Sequence, residues 1–78
     1  MPTSKEITEV IAEHLGLAPE DLDRDTLLRE DLNLGPIELN DLLGYLSGKY
    51  NISFEPEEIE GLKKVEDLVV LVEDNLID

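Results

Sequence analysis

Seventy-eight residues make one small domain, residues 1–78, with room for one modest core, and a single Phe, two Tyr and no Trp leave that core to Leu, Ile and Val. With no cysteine there is no disulfide framework, thiol chemistry or cysteine-ligated metal, a composition that fits a reducing cytoplasm. Twenty acidic residues against six basic ones, a formal charge of −14, repel nucleic acid and anionic membranes; they favour a protein partner with a basic surface, approached by steering that weakens with salt.

The opening MPTSKEITEV has no apolar run behind basic residues, so it is not read as a signal peptide. Thr3 and Ser4 suit a helix cap, and Thr3 with Glu6 has capping-box spacing. Ile7, Val10, Ile11 and Leu15 recur at three- and four-residue intervals, which predicts a first helix ending at Gly16. Residues 17–34 are acidic and broken by Pro19, with apolar anchors at Leu17, Leu22, Leu27, Leu28, Leu32 and Leu34. That pattern predicts an ordered loop packed across the helices, and loops of this length tend to be functional.

Gly35-Pro36 predicts the start of a second helix, because proline suits the first helical position, where its missing N–H would have no partner. Glu38 follows where a carboxylate favours the free amides of the first turn. Ile37, Leu39, Leu42, Leu43 and Leu46 are assigned to its apolar face. Gly44 and Gly48 weaken it and, one turn apart, are read as tight packing against the protein's own neighbours, with close approach of another backbone as the alternative. Residues 51–54 alternate like a strand but have no partner strand, so an extended loop is expected. Pro56, Glu57, Glu58 and Ile59 predict a short third helix. Residues 65–77 place Leu68, Leu71, Val72 and Leu76 on one face of a fourth, with a strand as the alternative its valines raise. The longest apolar run, residues 68–72, is too short to span a bilayer. The expected architecture is an all-α four-helix bundle with a long first loop and a short third helix.

Asp21, Asp23 and Asp25 alternate like the start of a calcium loop. Thr26 then stands where that loop needs glycine, and Leu32 where it needs a bidentate glutamate. A solvated acidic loop is the reading, a weak divalent-cation site the alternative. His14 is the only histidine, with no Cys beside it to build a zinc site or a triad. It is expected on the surface.

Residues 30–42 read EDLNLGPIELNDL, which closely resembles the segment opening the second helix of acyl and peptidyl carrier proteins. That family's pattern is an acidic-Leu approach, then Asp-Ser-Leu, then an amphipathic helix, and its serine carries a 4'-phosphopantetheine arm. Laid on this chain, the three positions fall on Gly35, Pro36 and Ile37. Further on, YNISFEPEEIEGLKKVEDLVVLV resembles the third-helix region without a gap, through Tyr50, Phe54, Pro56-Glu57-Glu58 and Val65.

The resemblance implies the carrier-protein bundle over nearly the whole chain and no enzymatic activity. It implies docking on a biosynthetic enzyme through acids at Glu38, Asp41, Glu57 and Glu58, with Glu60 beside them. It also exposes a contradiction. Attachment needs a hydroxyl oxygen at a helix amino terminus to attack the pyrophosphate of coenzyme A, and Pro36 has none. No cofactor is therefore expected at that position. The arm remains conceivable only through an atypical serine, and Ser4, Ser47 and Ser53 neither follow Asp nor precede Leu. Asn40, Gly44, Ser47, Gly48 and Lys49 also depart from the family's usual second helix. The leading expectation is a monomeric, unloaded, partner-binding module of fatty-acid or secondary-metabolite biosynthesis. A working acyl or peptidyl carrier with an atypical attachment site is the alternative, and an acidic nucleic-acid mimic is a third.

Overall fold

The computed structural model describes residues 2–76. Among these residues four helices follow one another: α1 (Ser4–Leu15), α2 (Pro36–Tyr50), α3 (Pro56–Glu60) and α4 (Val65–Leu76), with one 3-10 turn at Pro19–Asp21 in the long first loop. The expected all-α bundle is what forms. The strand alternative for the last segment gives way to helix because Val65, Leu68, Val69, Leu71 and Val72 are buried together only at helical spacing. Its expected last residue, Ile77, lies outside the described residues.

α1 starts where Thr3 Oγ1 accepts the amide of Glu6 at 3.1 Å. That bond makes one half of a capping box, and the Thr3 hydroxyl in turn donates to the Glu6 carboxylate at 3.4 Å. Gly16 closes the helix in the left-handed region at φ 73°. Its amide reaches the Glu13 carbonyl at 3.2 Å while that of Leu17 reaches Ala12 at 2.8 Å, a Schellman ending that satisfies two orphan carbonyls. Ile7, Ile11 and Ala12 are fully buried, meeting Leu42, Leu46, Leu68 and Val72 in one aliphatic core.

Leu22, Leu28 and Leu34 pin the long loop into that core. Backbone pairing, which the sequence reading lacks, holds it further. Leu27 and Lys64 form an antiparallel bridge. The amide of Leu28 donates to the Lys63 carbonyl, and those of Val65 and Glu66 donate to Thr26 and Arg24, all at 2.9–3.0 Å. Arg24–Glu66 at 3.1 Å and Lys64–Asp25 at 3.7 Å flank this strap. Asp67 Oδ2 accepts the amides of both Lys63 and Lys64 at 3.1 Å, fixing the entry to α4.

α2 buries Leu42, Leu43 and Leu46. Ile37, assigned to this face from the sequence, is instead 80% exposed. At about 100° per residue it points half a turn away from the Leu39–Leu42–Leu46 stripe. Gly44 and Gly48 share that outward face, and a Cβ at either would meet no atom within 4 Å. Tight packing against the protein's own chain is therefore not their role. Gly44→Ala and Gly48→Ala are each expected to raise stability by about 0.5–1 kcal/mol, the helix-propensity difference alone. Urea denaturation measures this, and an unchanged midpoint would show that the glycines answer to something the isolated chain lacks. The helix ends at Asn51, whose left-handed φ of 55° is tolerated by a short polar side chain.

Candidate attachment and docking site

The amino terminus of α2 is built by three adjacent residues. Gly35 has extended backbone and precedes the helix, Pro36 takes its first position, and the Gly35 carbonyl accepts the amide of Leu39 at 2.9 Å. Glu38 Oε1 folds back onto the Gly35 amide at 3.1 Å. The carboxylate thus occupies the positive end of the helix itself. Pro36 is exposed beside it.

Below Pro36 a groove of about 770 Å³ runs between the long loop, α2 and α3, floored by Leu27, Leu28, Leu34, Leu39, Ile59 and Leu62. None of the four expected docking acids lines this groove; Glu57 and Glu58 border a separate cleft against α4, and most of the four are already engaged within the chain. Glu38 holds Gly35, and Glu58 Oε1 accepts the Glu55 amide at 2.8 Å, capping α3. Asp41 meets His14 Nε2 at 2.8 Å while staying 73% exposed. Glu57 is exposed at the start of α3.

His14 departs from expectation. Its side chain is only 23% exposed. The ring lies on Tyr45 with centroids 4.3 Å apart and planes 14° from parallel. Separation hides this cluster in the sequence, since His14 and Asp41 stand 27 positions apart. The one available signal is that Asp41 and Tyr45 stand one turn apart on α2 and present both groups to a single neighbour. At the far end of α2, Tyr50 packs against the core, and burial, then the Glu6 carboxylate, then Tyr45 push its phenol above the usual range.

The serines sit elsewhere. Ser4 Oγ donates to Glu73 Oε2 at 2.8 Å, joining α1 to α4, and Ser47 Oγ donates to the carbonyl of Ile52 at the close of α2. Ser53 lies in the segment joining α2 to α3. Asp25 is drawn to Lys64, and among the described residues no three His, Cys, Asp or Glu side chains converge to hold a metal ion.

A family model described as the phosphopantetheine attachment site matches residues 5–72. The acyl carrier protein of Wolinella succinogenes is 33% identical over 70 residues, covering 90% of this chain and 92% of the relative. That of Chlamydia trachomatis serovar L2 is 27% identical over 75 residues, covering 96% and 97%. The crystal structure of an acyl carrier protein from Thermotoga maritima superposes with a TM-score of 0.76 at 25% identity, covering 95% of this chain and 92% of that one. A phosphopantetheine arm is held by a phosphodiester to a side-chain oxygen. The ring of Pro36, at the start of α2, offers no such atom, so the residues present do not fit the group at that position.

Proposed function

This chain belongs to the acyl carrier protein family, whose members are carriers rather than enzymes, and from that premise we propose that it acts as an unloaded interaction module. One observation carries the reading. Pro36 occupies the first position of α2, where it strengthens the helix start and supplies no hydroxyl. The fold around it is kept: the core is closed, the loop is strapped down, and α1 and α2 each end on a left-handed residue. A scaffold kept while its attachment chemistry is removed still offers a surface.

That surface is the acidic side at α2 and α3. Glu38, Asp41, Glu57 and Glu58 would meet a basic face on a biosynthetic or regulatory enzyme. The −14 charge supports long-range steering toward such a face. The module acts as one monomeric domain, in the cytoplasm, and requires no cofactor. Among the described residues no helix is long and apolar enough to cross a membrane.

The test is intact mass. After incubation with coenzyme A and a broad-specificity phosphopantetheinyl transferase, the protein is expected to keep its mass. A gain of one phosphopantetheine arm sinks the proposal and would direct attention to Ser4, Ser47 or Ser53.

A further inference from the structure

We infer that His14 is a positioning residue for docking: reaching from the last turn of α1, it holds the Asp41 carboxylate in one orientation on the outer side of α2. The inference rests on the docking role proposed above. Its observations are independent of that role.

An aspartate 73% exposed on a helix surface ordinarily samples several rotamers. Asp41 has a fixed neighbour. His14 Nε2 lies 2.8 Å from Oδ2, and because an ionised carboxylate can only accept, the ring nitrogen is the donor. The ring is itself held in place. It stacks on Tyr45 and keeps 23% of its side-chain surface exposed. Asp41 and Tyr45 lie on successive turns of one face, so a single α2 surface grips the imidazole by edge and by plane. The other charged group next to it on its own helix is Glu13, which is exposed.

The grip leaves a carboxylate that is fixed but still available. Oδ2 is occupied by the bond, and Oδ1 keeps its lone pairs for an incoming lysine or arginine. Ordering Asp41 in advance removes part of the rotamer entropy that docking would otherwise cost. A residue that only pinned α1 to α2 would have no such consequence for a partner.

A Pro36→Ser background supplies the hydroxyl that makes docking measurable as transferase kinetics with coenzyme A. Adding His14→Ala is expected to raise KM for the carrier about two- to fivefold, the range set by a partly exposed charged hydrogen bond, with kcat unchanged. His14→Gln places an amide N–H near the same point and is expected to restore most of the lost affinity. Asp41→Ala is expected to raise KM at least as far, and adding His14→Ala to it to change little more. Circular dichroism keeps every assay below each variant's melting range.

If Asp41→Ala raises KM and His14→Ala does not, the positioning role is wrong while docking through Asp41 stands. Equal losses for Ala and Gln at position 14 also overturn it, because then the hydrogen bond is not what matters. If neither Asp41→Ala nor His14→Ala moves KM, docking through Asp41 falls and the inference with it.

Discussion

Leu46→Ala is expected to cost about 3 kcal/mol of folding stability, the usual range for truncating a buried leucine being about 2–5 kcal/mol. Leu46 is fully buried on the inner face of α2 and belongs to the single core cluster with Ile7, Ile11, Leu42, Leu68 and Val72. The core contains no Trp, and Phe54 and Tyr50 pack only partly against it, so little else can collapse into the space left behind. A domain of this size has roughly 4–12 kcal/mol of stability in all. Such a loss should lower Tm by about 12–24 °C. Ile37→Ala, which removes an equally apolar residue of the same helix, is expected to change stability by less than about 0.5 kcal/mol, since Ile37 is 80% exposed. Thermal unfolding of the two variants side by side checks both. Similar losses would mean that the outward placement of Ile37 is wrong.

The same pair of residues shows what was legible in the sequence. Helices were readable because their signals are local: Thr3 and Gly16 at the ends of α1, proline at the first turns of α2 and α3, leucines at helical spacing. Counting apolar residues puts Ile37 on the buried face, whereas following their phase does not. The helical period puts it opposite Leu42 and Leu46. Gly44 and Gly48 mislead for a related reason, since a glycine carries no mark of whether something lies against it. What the sequence could not offer is contact between distant segments. The strap joining residues 24–28 to 63–66 is mainly backbone hydrogen bonding, to which side-chain identity contributes little. The His14–Asp41–Tyr45 cluster depends on how the end of α1 crosses α2.

Resemblance alone sets Pro36 at the family's attachment position, and the proposal built on it is open to direct test. Pro36→Ser is therefore expected to convert a protein that takes no phosphopantetheine into one that takes a single arm, read as a mass gain with coenzyme A and a transferase. The helix start tolerates the change. Gly35 still accepts the Leu39 amide through its carbonyl, and Glu38 still covers the Gly35 amide. The expected cost is about 0.5–1 kcal/mol, from the greater freedom of serine in the unfolded chain. Glu38 also predicts how well the new serine performs. Its Oε1 lies 2.9 Å from where a Cβ on residue 35 would stand, so any side chain placed there meets this carboxylate first. Gly35→Asp must push Glu38 outward while capping the free amides with its own carboxylate. The double variant Gly35→Asp/Pro36→Ser is thus expected to load faster than Pro36→Ser alone, with Glu38 freed to face a partner. Slower loading by the double variant would show that the drift at α2 extends beyond these two residues, to the outward face that carries Ile37, Asn40 and Gly44.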